Sequence, residues 1–199
     1  QPRSPSKKSK RNDTDPEAYA HLHLLQDYLQ PGLDVVFCGI NPGYMSAETG
    51  HHFANPTNHF WRCLHRSGMT STLVSPSEDY LLLERFNIGL TNLVERPSIQ
   101  ACELSKAEMR ASVPPFLDKL ARHRPRFVCF VGMMIWEIVK SVLVKQCTAH
   151  GKVKGRNGVK TQPGSQAYRL VYANAEGDPQ QGTLFFVVPC TSGRVVKYQ

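Results

Sequence analysis

A three-layer α/β/α sandwich with a central, mostly parallel short sheet follows from three observations. Short apolar runs of strand length alternate with amphipathic stretches of helix length, the pattern of α/β chains. The run over residues 127–131 is wholly apolar, as a strand buried on both faces requires. Gly, Pro or Asn closes almost every run. At 199 residues the chain suits one domain with a sizeable core, and it contains no internal repeat.

The elements follow in order. Residues 1–13 are Pro, Ser, Lys and Arg with almost nothing apolar, so they are expected to form a disordered basic tail. Lys7-Lys8-Ser9-Lys10-Arg11 suits a nuclear localisation signal or a nonspecific DNA arm. Asp15-Pro16-Glu17 supplies an N-cap, a proline at the first position and an acid in the first turn, so a helix is expected to about Leu29. Strand one covers 35–38, and a Gly/Pro/His loop is expected from there to Thr57. Asn58 caps a helix that Gly68 stops. A short helix is expected near 80–85. Ser105-x-x-Glu108 reads as a capping box, and Pro114-Pro115 interrupts or restarts the helix that follows, to about His123. After the strand at 127–131, Gly132 turns the chain into a helix over 135–144. Residues 148–165 lack a period and read as a mobile loop. Strands follow at 168–172 and 184–188. Residues 14–199 are thus expected to be one catalytic domain, truncated within a further helix at its C-terminus. Since the chain begins with Gln, it is expected to be a piece of a longer protein.

The net charge of +8 favours a polyanionic partner. Six cysteines stand without any C-x-x-C pair. Cys38, Cys63 and Cys129 lie in apolar runs and read as small buried hydrophobes in a reducing compartment. No apolar run approaches the roughly 18 residues of a membrane span. Nucleic acid is the favoured polyanion on charge, and no membrane association is expected.

The chemistry concentrates at strand ends. In Leu33-Asp-Val-Val-Phe-Cys-Gly-Ile-Asn41-Pro42-Gly43 a strand runs into a tight turn that offers one polar side chain. Open α/β sheets bind ligands just beyond the carboxyl ends of their strands. Neither G-x-G-x-x-G nor the Walker motif is present, which argues against a nucleotide phosphate loop. Phe53 follows His51 and His52 in a Gly/Pro-rich loop and suits stacking on a base; packing on the helix after Asn58 is the alternative. A zinc site built from His51, His52 and His59 lacks a second cluster with ligand spacing, so no metal and no cofactor is expected. Asn92, at the end of Ile88-Gly-Leu-Thr-Asn-Leu-Val, carries both a donor and an acceptor and suits a pyrimidine edge. The small, hydroxylic run Val188-Pro-Cys190-Thr191-Ser192-Gly193-Arg194 suits phosphate contact, with an Arg on its tip to fill the space left by an extruded base.

Gly39-Ile-Asn-Pro-Gly43, Gly50-His-His-Phe53, Asn58-His-Phe-Trp61 and Gly89-Leu-Thr-Asn-Leu-Val-Glu-Arg96 together resemble the mismatch-specific uracil and thymine DNA glycosylases. The likeness is greatest to the eukaryotic thymine DNA glycosylase branch and runs from about Asp34 to Tyr198. It implies a nuclear, monomeric, monofunctional glycosylase whose partner is double-stranded DNA and which hydrolyses the N-glycosidic bond of a flipped mismatched or modified pyrimidine: uracil, thymine, formylcytosine or carboxylcytosine. By this likeness Asn41 holds the attacking water and Ser98 helps to position it. Phe53 stacks on the flipped base, and Asn92 faces its edge. His52 and Asn58 line the pocket, with a backbone amide near Ile40. Arg194 is the intercalating residue, flanked by Cys190, Thr191, Ser192, Gly193, Val195 and Lys197 on the DNA. Met133 stands where these enzymes carry a phosphate-binding Lys, which shifts that role to Lys152, Lys154 or Arg156. Residues 195–197 also depart from the usual readers of the opposing guanine. A non-catalytic DNA-binding module on the same scaffold and a small-molecule enzyme of Rossmann type are the rival readings.

Overall fold

The computed structural model describes residues 22, 24–143, 147–148, 151–155, 161–172 and 182–195. The elements are β1 (Val35–Gly39), α1 (Tyr44–Thr49), α2 (Phe60–Arg66), α3 (Leu81–Phe86), β2 (Ile88–Asn92), α4 (Lys106–Ala111), α5 (Val113–His123), β3 (Phe127–Val131), α6 (Met133–Leu143), β4 (Cys147–Thr148), β5 (Gly151–Gly155), β6 (Gly164–Tyr172) and β7 (Gly182–Val188). One sheet orders them β2-β1-β3-β7-β6-β5-β4. The four strands from β2 to β7 are mutually parallel. β6, β5 and β4 extend that sheet as an antiparallel meander.

Side chains alternate between two cores, as the period of two in a strand dictates. Val36, Cys38, Val128, Phe130, Phe185 and Val187 pack with α4, α5 and α6. Val35, Phe37, Ile88, Leu90, Cys129 and Val131 pack with α2 and α3. The connection from β1 to β2 therefore covers one face, and the connection from β2 to β3 covers the other. This is the α/β architecture expected. The α2–α3 layer stops short of β7, where Leu184, Phe186 and the neighbouring Phe127 stay exposed.

Several local expectations hold for identifiable reasons. Asn58 Oδ1 accepts from Phe60 N at 3.0 Å at the start of α2, and Gly68 takes the left-handed conformation just beyond its end. Ser105 Oγ accepts from Glu108 N at 3.0 Å to open α4. The chain breaks at Ser112, and Pro114-Pro115 stand in the first turn of α5, where a missing N–H costs nothing.

Other expectations change. Residues 24–30 are not helical: Tyr28 exchanges backbone hydrogen bonds with Leu90 on β2. Edge pairing to the sheet replaces helical bonds there; the start of that expected helix lies outside the described residues. The 40–57 loop contains α1, closed by Gly50 in the left-handed conformation. Residues 151–155 are a strand, because β6 offers them a partner that single-sequence periodicity cannot show. Cys38 and Cys129 are buried as expected, but Cys63 is exposed.

Candidate active site

Two loops meet at the carboxyl ends of β1 and β2. Leu93 N donates to Gly39 O at 2.9 Å, Val94 N to Ile40 O at 2.9 Å and Ser98 N to Pro42 O at 3.1 Å. The pairing continues the parallel register beyond the strands and carries Asn41 opposite the 96–98 segment. A cleft of about 820 Å³ opens there. Its lining includes Ile40, Asn41, His52, Phe53, Asn58, Asn92, Ser98 and every residue from Cys190 to Val195. The fold thus gathers one constellation from five separate stretches of sequence.

Asn41 is oriented by two acceptors. Its Nδ2 donates to Arg96 O at 2.9 Å and to Ser98 Oγ at 2.8 Å. Arg96 O can only accept, and the single hydroxyl hydrogen of Ser98 goes to Gln100 O at 2.9 Å, so Ser98 Oγ accepts from Asn41. Both amide hydrogens are committed, the O/N assignment is unambiguous, and Oδ1 is left with no donor among the described residues. Ser98 is 1% exposed, and its hydroxyl hydrogen is spent on Gln100. Its contact in this site is to Asn41.

Asn92 differs. Its side chain lies over Gly39, where a Cβ would stand 2.5 Å from Asn92 Oδ1 and 3.6 Å from the Phe53 ring. Gly39 is therefore required for Asn92 to occupy the cleft floor beside Phe53. Asn92 is 8% exposed, and its amide makes no hydrogen bond to a described residue. A nearly buried amide without a partner is costly in a protein interior, and here it faces a cleft.

Phe53 has φ +51° and stacks on Phe60 with centroids 4.0 Å apart and planes at 18°. The packing alternative is thus realised on one face of the ring, while the residue also lines the cleft. The histidine loop is held by Asp79, a fully buried carboxylate. Asp79 accepts from His52 N at 2.8 Å and from His51 Nδ1 at 3.2 Å. Burial first, and then the Asp79 carboxylate, push the Tyr28 phenol up to about 12. His52 Nε2 donates to Gln26 O at 2.8 Å, and burial holds its pKa below the ordinary 6.5. His59 Nδ1 instead accepts from Arg62 at 2.8 Å. The three histidines therefore serve three different partners.

The 190–195 loop forms the opposite lip. His59 N donates to Thr191 O at 2.9 Å. A Cβ on Gly193 would stand 2.6 Å from Thr57 O, so this glycine permits close docking of the lip on the 55–58 turn. Arg194 is exposed beside it. Met133, at the start of α6, also lines the cleft.

Lys152 and Lys154 are not brought to the cleft. Lys154 pairs with Arg169, which pairs with Leu184, which pairs with Phe127. That row lies at the start of β3 and β7, whereas the cleft is at their ends. Antiparallel pairing sets this register, and the sequence spacing does not reveal it. Lys197 and Arg156 lie outside the described residues. Sequence reasoning missed Asp79 and Arg96; Asp79 follows no apolar strand, and the Arg96 contribution to Asn41 is a backbone carbonyl, which no residue type reports.

A parallel sheet with a strand-end cleft of this kind, floored by two asparagines, an aromatic ring and a required glycine, defines a nucleobase-processing α/β enzyme more readily than a nucleotide-phosphate binder. The family model of the uracil DNA glycosylase superfamily matches residues 26–199, and the chain belongs to that superfamily. Its general activity is accordingly that of a DNA glycosylase, a hydrolase of N-glycosyl bonds that acts on DNA in base excision repair.

Proposed function

We propose that the chain is a monofunctional, mismatch-specific glycosylase of the thymine DNA glycosylase type, removing flipped uracil, thymine, formylcytosine or carboxylcytosine from duplex DNA. The observation that carries this reading is the pair of asparagine amides at adjacent strand ends. One has an oriented, unengaged Oδ1, and the other a nearly buried amide with neither end paired. The first suits a water molecule, and the second suits the donor and acceptor edge of a pyrimidine.

Breaking the N-glycosidic bond puts cationic character on the sugar and negative charge on the departing base. Asn41 Oδ1 accepts a hydrogen bond from the attacking water and aims its oxygen at C1′. Asn41 carries no charge and takes no proton, so it supplies orientation rather than general-base catalysis. The rate then depends on how well the leaving base bears negative charge. Electron-withdrawing C5 substituents should accelerate release, and a methyl should slow it. Phe53 offers a stacking surface, with Phe60 behind it as support. Arg194, on its exposed lip, fills the stack after extrusion. Cys190, Thr191, Ser192, Gly193 and Val195 form the lip that meets the backbone. The enzyme acts as a monomer without metal or cofactor, and the Lys7–Arg11 run suits a nuclear location.

Single-turnover excision of uracil from a duplex with one G·U pair, in the presence of a chelator, tests the reading. Free uracil and an unbroken abasic strand are expected. Tight duplex binding with no base release would favour a non-catalytic DNA-binding module.

A further inference from the structure

The loop that orients Asn41 is itself anchored at a distance. The backbone rungs between the two loops run from Leu93 and Val94 and resume at Ser98. Arg96 lies midway, and its carbonyl is one of the two acceptors on Asn41. The Arg96 side chain turns away from the cleft to α4. Its Nε donates to Glu108 Oε1 at 2.8 Å, its Nη2 to Glu108 Oε2 at 3.1 Å, and Nη2 also reaches Glu103 O at 3.5 Å. The other acceptor is held from the same place. Ser98 Oγ donates to Gln100 O, and Gln100 N donates to the Glu103 carboxylate at 2.9 Å.

We propose that the Arg96–Glu108 ion pair is a positioning device that sets the Arg96 carbonyl, and through it the orientation of the Asn41 amide. The inference rests on the glycosylase reading for its catalytic consequence, but not for its structural one. Two parallel hydrogen bonds between a guanidinium and a carboxylate fix direction as well as distance. The side chains are 41% and 31% exposed, and a pair so placed adds little to global stability. α4 does not need it, since Ser105 caps that helix. The hydrogen bond from Arg96, supported by its charge, lowers the Glu108 pKa, so the pair is charged at neutral pH. Neither residue lines the cleft, so both act only through Asn41.

Glu108→Ala, Glu108→Gln and Arg96→Met are the informative variants. Maximal single-turnover excision from the G·U duplex should fall about ten- to a hundredfold, the scale on which small misplacement of a reacting group acts. Affinity for a duplex carrying a tetrahydrofuran abasic analogue should stay within about threefold, since neither residue lines the cleft. The melting temperature should barely move, and Glu108→Gln should recover part of the rate through its remaining acceptor oxygen. In Ser98→Ala combined with Glu108→Ala, the loss should be smaller than the product of the single losses, because both act on one amide. NMR of the Asn41 side-chain amide, identified by its disappearance in Asn41→Ala, gives a readout free of substrate. Its hydrogens should exchange with water faster in Glu108→Ala, while α5 backbone amides keep their rates. An unchanged excision rate, multiplicative losses or unchanged Asn41 exchange would each overturn the proposal. If the unmodified chain releases no uracil, the glycosylase reading fails, and the exchange measurement still decides the clamp.

Discussion

The floor of the cleft and its lip are built on opposite principles. The floor lies at the ends of β1 and β2, among buried residues, with paired loops and an amide whose two hydrogens are both committed. The lip, residues 190–195, exposes Cys190 and Arg194, is otherwise half-buried, and docks on the 55–58 turn through a backbone hydrogen bond and a glycine contact. A group that must aim a water molecule needs a fixed direction, because its value lies in geometry. A residue that must enter a base stack needs reach and exposure. Rigidity and access are thus divided between two regions of one site.

Removing the oriented group should produce the largest effect. Asn41→Ala should reduce single-turnover G·U excision by at least about a hundredfold, the low end for a positioned catalytic group, while duplex binding is largely kept. Near-normal cleavage would break the assignment of fixed geometry to the floor.

The next test attacks the shape of the floor. Gly39→Ala puts a methyl where Asn92 Oδ1 lies, and overpacking of this kind costs roughly 1–3 kcal/mol. Excision should fall for every pyrimidine, and Asn92→Ala should add little once Asn92 is displaced. Full additivity would show that Gly39 acts elsewhere. Phe53→Ala should weaken base capture by about 1–3 kcal/mol, the worth of one stacked base. A loss of folding stability with unchanged capture would assign Phe53 to the core through Phe60 alone.

Changes at the lip should be smaller and depend on the target. Arg194→Ala should lower excision from stable pairs about tenfold, equivalent to about 1.4 kcal/mol, and hardly at all from single strands. A 2-aminopurine beside the lesion should report reduced extrusion. Equal defects on both substrates would leave Arg194 as a phosphate anchor.

The smallest effect concerns the histidine loop. His52 is held below its ordinary pKa by burial, so the unfolded chain binds its proton first. Stability from this residue is complete above about pH 6.5 and is lost as pH falls through the lower folded value. His52→Gln, which keeps a donor for Gln26 O, should flatten the stability difference between pH 7.5 and pH 5.5. An unaltered difference would place the acid sensitivity elsewhere, as in Glu108, whose lowered pKa acts with the same sign at lower pH.

Much of this was legible in the chain itself. Apolar runs closed by Gly or Pro marked β1, β3 and β7, and Asn58, Ser105 and Pro114-Pro115 marked their helix starts, because caps and proline constraints act within a few residues. The motifs at 39–43, 50–53, 88–96 and 188–194 supplied the Asn41, Phe53, Asn92 and Arg194 parts of the cleft lining in advance. The helical reading of residues 24–30 failed because Tyr28 found a partner on β2, 62 positions away. The two strand lysines were misplaced for a similar reason, since the register of β5 against β6 is set across the sheet.

What the sequence alone determined was the alternation of elements, the residue types at the strand ends and the excess of positive charge, all local or compositional properties. Only the tertiary structure decided that Asn41 faces the Arg96 carbonyl, that Gly39 makes room for Asn92, and that Asp79 holds the loop bearing Phe53. Those relations join residues tens of positions apart through backbone atoms and empty space. Neither leaves a side-chain signature, so they exist only once the sheet has brought the loops together.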